Sequence, residues 1–254
     1  MTFVIWILSF FLMNIQQEVK NFERQYRAAG KPAAAVWDKN YMKSQLKLFG
    51  IRAADRQLIL KQFVAEHRDF RHSDLWRLAG RMWQSDYHEI RGSVPDLLIK
   101  YRRLLGYTDL PRFEKFLRQS HDWGTVDEIS VHLVGYLLAQ DQRTASYLKK
   151  WNTDKLFWLR RASILPFLYL FRKKSGDRKL FYRLAVKLMD ESWQNWGYAV
   201  NNYSLPKRRF FIRKAIGWCL REMSEKWPAE ITKFLRQNKG RMNSLSFREG
   251  GRKL

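Results

Sequence analysis

The chain has 254 residues, enough to bury a core, and its 48 Lys and Arg against 24 Asp and Glu leave a formal charge of +24. The single cysteine, Cys219, excludes an internal disulfide and a thiolate metal cluster. With 11 Trp, 11 Tyr and 17 Phe the chain is too aromatic to be a basic disordered polymer, so the charge belongs to a folded body that draws in phosphate-rich partners: nucleic acid first, an anionic membrane surface second.

Residues 1–13 open the chain with an apolar run from Thr2 to Met13. A spanning helix needs about 20 apolar residues, so this run is short of a transmembrane segment. It also lacks the basic start and the small-residue cleavage site of a signal peptide. Three readings stay open: Met13 as the true start, an apolar arm packed on the first helix, or a membrane anchor. From residue 14 to 237 the pattern is helical, with only 13 Gly and 6 Pro in the whole chain and no strand-like alternation. "IQQEVKNFERQYRAAG" ends at Gly30, a natural stop. "DKNYMKSQLKLFG", "AADRQLILKQFVAEHRDF", "SDLWRLAGRMWQSDYHEIRG" and "VPDLLIKYRRLLG" follow as helical stretches. Next come "LPRFEKFLRQSHDW", "TVDEISVHLVGYLLAQ", "TASYLKKW", "DKLFWLRRASILPFLYLFRKK" and "DRKLFYRLAVKLMDESW". "KRRFFIRKAIGWCLREMSEKW" and "PAEITKFLRQN" close the folded part.

These stretches read as antiparallel pairs. Aligning Ile90, Ile129, Leu159 and Ile212 in the second member of each pair gives steps of 39, 30 and 53 residues. The expectation is an all-α fold, a curved solenoid of HEAT-like helix pairs, with an ordinary helical bundle as the alternative. Glu191 to Arg209 interrupts the periodicity and is expected to be an inserted loop or hairpin. Residues 238–254, Gly-rich and basic, are expected to form a flexible tail.

Chemistry-bearing patterns are few. Thr125-Val126-Asp127-Glu128 reads as a capping box, with Thr125 at the N-cap and Val126, Ile129, Leu133 and Leu137 as the buried stripe. Asp127 would then sit in the first turn, where the helix dipole favours a negative charge. Ser120-His121-Asp122 is not a catalytic triad, because neighbouring side chains cannot relay in that order. His67 and His72 lack a third metal ligand, and His88-Glu89 lacks the cysteines of a zinc deaminase. No Gly-rich phosphate loop occurs. Cys219, inside the helical pattern "AIGWCLRE", reads as a buried and inert thiol. Basic clusters interleaved with aromatics, "KYRRLLGY", "WLRR", "LFRKK" and "KRRFFIRK", recur along the helix pairs and suggest a phosphate-tracking surface. Arg160, Lys207, Arg208, Arg213 and Lys214 are its candidate contacts.

Four blocks, "YMKSQLKLFGIRAADRQ", "HDWGTVDEIS", "FWLRRASIL" and "FFIRKAIGWCLREMSEKWP", occur in the order found in the DNA alkylation repair family. Over residues 15–237 the chain resembles the AlkD-type alkylpurine DNA glycosylases, which are built from HEAT-like repeats. The resemblance implies Asp127 as the catalytic carboxylate, Trp123 and Trp218 as base-facing indoles, and Arg161 beside the aspartate. It implies Tyr41 near the DNA and Arg221 on a phosphate. It further implies hydrolysis of the glycosidic bond of cationic purines such as 3-methyladenine and 7-methylguanine in double-stranded DNA. No metal or organic cofactor is expected, the membrane is not an expected partner, and a monomer located in the cytoplasm with the nucleoid is. The Glu191–Arg209 insertion departs from the pattern. Relatives with an added basic hairpin favour branched DNA, so binding of duplex or branched DNA without catalysis is the alternative function.

Overall fold

The structure, a computed structural model, describes residues 13–42, 44–191 and 203–254. The apolar start and residues 192–202 of the expected insertion lie outside these. The described residues are all-helical, as the periodicity predicts; among them the one strand-like feature is an isolated bridge between Lys47 and Tyr87. The chain divides into two compact units after Leu104.

In the first unit, α1 (Ile15–Ala29) begins where the Asn14 side chain accepts the Gln17 N–H, a standard cap. Its stripe of Val19, Phe22 and Tyr26 is buried against α3 (Ala53–Glu66) and α4 (His72–Trp83). Tyr26 meets Ser93 of α5 (His88–Lys100) through a 2.8 Å hydroxyl–hydroxyl hydrogen bond. In the intervening α2 (Pro32–Met42) none of the side chains over residues 32–41 is buried. The sequence pattern extended this helix to Gly50, but the chain leaves it after Met42. The Lys47 N–H donates to the Asp86 carbonyl (2.9 Å) and the His88 N–H to the Lys47 carbonyl (2.8 Å), and Phe49 stacks on Tyr87 with centroids 3.9 Å apart. Buried Glu89 accepts the Phe49 and Gly50 N–H groups at 2.8 and 2.7 Å. Those bonds take the place of the ones another helical turn would make. Gly50 takes φ +73°, and a side chain there would run into the Lys31 carbonyl.

The second unit is centred on a short helix, α10 (Phe157–Ala162), in which every residue is buried. Around it pack α6 (Leu110–Gln119), α7 (Trp123–Asp127), α9 (Thr144–Trp151) and α13 (Leu205–Ser224). After α7 the chain widens into a π-helix, Glu128–Val134, before α8 (Gly135–Gln140). The predicted stripe of Val126, Ile129, Leu133 and Leu137 is buried throughout. The long helix expected over 154–174 is broken in two: α11 (Phe167–Phe171) starts after Pro166, whose missing N–H and ring end α10. The unit continues with α12 (Arg178–Met189), α13, α14 (Pro228–Asn238) and α15 (Ser244–Gly250).

Two expected boundaries change. α13 starts at Leu205, inside the expected Glu191–Arg209 insertion and two residues before the helical pattern that opens at Lys207. The segment expected as a flexible tail is instead a turn and α15, packed on α13. Asn243 caps α15 through the Leu245 N–H, and the Ser246 hydroxyl donates to the Arg213 carbonyl at 2.9 Å. Gly217 and Gly250 let the helices touch: a Cβ on Gly217 would lie 2.6 Å from Glu249 Cβ. The glycines and charges that resemble a disordered composition are here contact residues.

Close approach also governs α8 and α11. A Cβ on Gly135 would lie 2.6 Å from Tyr169 Cβ and 2.8 Å from the Pro166 carbonyl oxygen. Gly135→Ala is expected to destabilise the protein by roughly 1–3 kcal/mol, the usual cost of overpacking. A lowered urea midpoint at constant slope would record it, and a midpoint equal to wild type would contradict it.

Candidate functional site

The site grows from the loop that enters α7. Asp122, buried, accepts the Thr125 N–H at 2.8 Å and the Thr125 hydroxyl at 3.0 Å. Asp122 is therefore the N-cap, and Thr125 lies inside the helix, contrary to the expected capping box. With Asp122 at the cap, Asp127 lies beyond the first turn of α7, where the influence of the helix dipole has fallen off. The cap sets Trp123 at the first helical position, with 37% of its surface exposed. Asp127 follows one turn later, on the same side of the helix.

Asp127 is gripped by Arg161 of α10. Arg161 Nε donates to Asp127 Oδ1 at 2.7 Å and Nη2 to Oδ2 at 2.8 Å, a bidentate pair. The third nitrogen, Nη1, donates to the Phe211 carbonyl of α13. One guanidinium, its side chain only 5% exposed, thus joins α7, α10 and α13. The Asp127 side chain keeps 14% exposure. Beneath lies an aromatic layer: Trp158 and Tyr203 flank Phe211 with centroids 5.0 and 5.5 Å away. The Tyr203 hydroxyl points to the His121 carbonyl, 3.5 Å away, in the loop before Trp123. Burial, with the nearby Asp122 charge, raises its pKa.

Trp218 is half-buried on α13, two turns after Phe211. The Arg172 guanidinium stands 5.8 Å from its ring centroid and pairs with Glu222, which Lys226 also holds at 2.9 Å. The neighbouring Cys219 is fully buried, its Sγ 3.6 Å from the Ile164 carbonyl, as the sequence reading expects. Burial pushes its thiol far up, and the charges of Arg161, Glu222, Asp127 and Arg172 all reach it.

The remaining candidates lie on α2, α10 and α13. Tyr41 belongs to the first unit, exposed on α2 and stacked on Trp37 at 5.0 Å. Arg160 points inward: its guanidinium donates to the carbonyls of Asp154, Asn152 and Thr153, and burial lowers its pKa to about 10, leaving it charged at neutral pH. It supports the turn before α10 and cannot serve as the expected phosphate contact. Arg213 pairs with Glu191, while Lys214 and Arg221 share Glu249 at 2.9 and 2.6 Å. The Arg208 Nε donates to the Tyr203 carbonyl at 2.6 Å. Lys207 is exposed. Reading the sequence missed Asp122, Tyr203, Phe211 and the counterions Glu191 and Glu249. Only Asp122 left a signal, as an Asp three residues ahead of the Thr whose N–H it caps. Among the described residues no cluster of His, Cys, Asp and Glu could hold a metal, and no helix is long and apolar enough to cross a membrane.

A family model described as DNA alkylation repair enzyme matches residues 22–254. A solved structure, a predicted DNA alkylation repair enzyme from Enterococcus faecalis, superposes with a TM-score of 0.73 at 23% identity, covering 89% of this chain and 96% of that one. At that identity the likeness establishes the fold. No curated protein matches.

Two outcomes follow from this geometry. Arg161→Ala strands a carboxylate and a carbonyl, and the expected loss of stability is about 3–5 kcal/mol, the cost of breaking a buried pair. Urea titration measures it; a change below 1 kcal/mol would mean that water replaces the guanidinium. Cys219, with its pKa raised, should resist a thiol-reactive dye at pH 8 in the folded protein and react once denaturant is added. Fast labelling of the native protein would disprove its burial.

Proposed function

The chain belongs to the DNA alkylation repair enzyme family, with a role in the repair of alkylated DNA, and from that premise we propose that it is a DNA glycosylase for cationic alkylpurines in duplex DNA. The observation that carries the proposal is the Asp127 carboxylate, fixed by Arg161 one helical turn from an exposed indole, on a chain of charge +24. The substrate class follows from charge. An N3- or N7-alkylated purine is a cation, and an indole face attracts a cation by about 0.5–2 kcal/mol. Trp123 and Trp218 supply the two indoles.

The reaction breaks the bond between C1′ and the purine nitrogen. The bonding pair leaves with the base, which departs neutral, and the sugar becomes an oxocarbenium ion. A carboxylate at about 4 Å stabilises that charge by up to roughly 4 kcal/mol at an effective dielectric of 20. Arg161 subtracts from this, but it also sets where the carboxylate stands. Water adds to C1′ and loses its proton to solvent, and an abasic site remains. A carboxylate offers about four lone-pair directions and Arg161 uses two, so the others can position the water. The logic is that of carboxylates in glycoside hydrolysis. The chain's own groups suffice for this reaction, which needs no metal or organic cofactor, and a monomer holds them all. The phosphate-facing cations are Lys207 and Arg208, with Arg213, Lys214 and Arg221 available once DNA competes with their acidic partners.

Asp127→Asn is expected to lower single-turnover release of 7-methylguanine from methylated duplex by about a thousandfold, with little change in duplex affinity. Full activity in this variant would refute the role given to Asp127.

A further inference from the structure

The first turn of α13 is electrostatically costly. Lys207, Arg208 and Arg209 follow one another at the positive end of a 20-residue helix, with no acid in that turn. Arg208 and Arg209 are partly satisfied by the Tyr203 and Glu191 carbonyls. Lys207 has no carboxylate partner among the described residues; its ammonium lies 5.2 Å from the Phe210 ring centroid and 5.7 Å from that of Phe211. Phe210 is 38% exposed, one residue before the carbonyl that anchors Arg161. Its ring meets buried Phe211 edge-on at 5.6 Å. A lone exposed phenyl needs no explanation. An exposed phenyl beneath a cation with no acidic partner, and attached by one peptide to the residue that positions Arg161, does.

We propose that Phe210 is a stacking platform for a nucleotide of the bound DNA beside the reacting one, and that Lys207 meets that nucleotide's phosphate. Every base presents a π-face and every nucleotide a phosphate, so the pair matches nucleic acid without reading sequence. Stacking there would hold the backbone in register with Asp127, because Phe210 and the Arg161 anchor are neighbours on one helix. Phe210 is thus a positioning residue. The assignment deepens the glycosylase reading and rests on it for the identity of the reacting nucleotide.

The test compares wild type with Phe210→Ala, Phe210→Leu, Phe210→Tyr and Lys207→Gln. It measures affinity for plain and 7-methylguanine duplex by fluorescence anisotropy, single-turnover base release, and thermal melting. Phe210→Ala and Phe210→Leu are expected to lose about fivefold to 150-fold in affinity, and Phe210→Tyr little, since the ring carries the contact. Lys207→Gln should reduce the slope of log affinity against log salt by about one phosphate. Melting within the wild-type range shows that the fold is intact. Wild-type affinity in a folded Phe210→Ala variant, or in Phe210→Leu, overturns the platform. If Asp127→Asn still releases base while Phe210→Ala weakens binding, the catalytic reading falls and the platform stands. If the reverse is found, the platform alone falls.

Discussion

The second unit depends on burying one guanidinium. Arg161 sits almost entirely out of water, where an unpaired charge costs several kcal/mol even after relaxation. Three acceptors compensate: two carboxylate oxygens of Asp127 and the Phe211 carbonyl. The acceptors lie on α7 and α13 and the donor on α10, so these three helices cannot shift independently without leaving a donor unmet. The carboxylate is held as firmly as the core that holds its partner. In the reaction proposed above, such fixation would help, because the carboxylate need not reorganise when the positive charge appears.

The ends of these helices are fixed by further contacts. Asp122 caps α7 and sets Trp123 at its first position, and Tyr203 ties the loop before it to the aromatic layer under Phe211. On α13, Phe210, Phe211 and Trp218 stand at successive places along one rigid rod. Part of the positive charge nearby is locally balanced: Glu249 of α15 is shared by Lys214 and Arg221 and offsets one of their two charges, and Glu191 neutralises Arg213. The net charge of +24 therefore describes a long-range field that gathers anions, while the near field at the site is set by a few specific pairs.

The π-helix after Asp127 belongs to this frame. It carries the chain from the end of α7 to Gly135, where α8 and Tyr169 come into direct contact. The Ser130 hydroxyl donates to the Val126 carbonyl at 2.6 Å, satisfying an acceptor at the transition. Wide turns of this kind are rare and often border functional positions, because they offset side chains that an α-helix would keep in line.

What the sequence determines by itself is local or summed over many residues. Apolar spacing marks the helices and stripes such as Val126, Ile129, Leu133 and Leu137, since burial of one face obeys the helical period. The charge and the aromatic content point to a folded, anion-seeking body. What only the tertiary structure decides is where each polar group finds its partner. Arg160 and Arg161 are adjacent and chemically identical, yet one turns to the carbonyls of a turn and the other to Asp127. Thr125 and Asp122 are both good caps, and Asp122 prevails because its carboxylate satisfies both the N–H and the hydroxyl of Thr125. The chain past Asn238 has the composition of a tail but folds, because Gly217 admits it and Lys214 and Arg221 attract Glu249. Hydrophobic burial is written in spacing along the chain, whereas a charge is placed by whichever distant group the fold brings within 3 Å, and spacing carries no record of that.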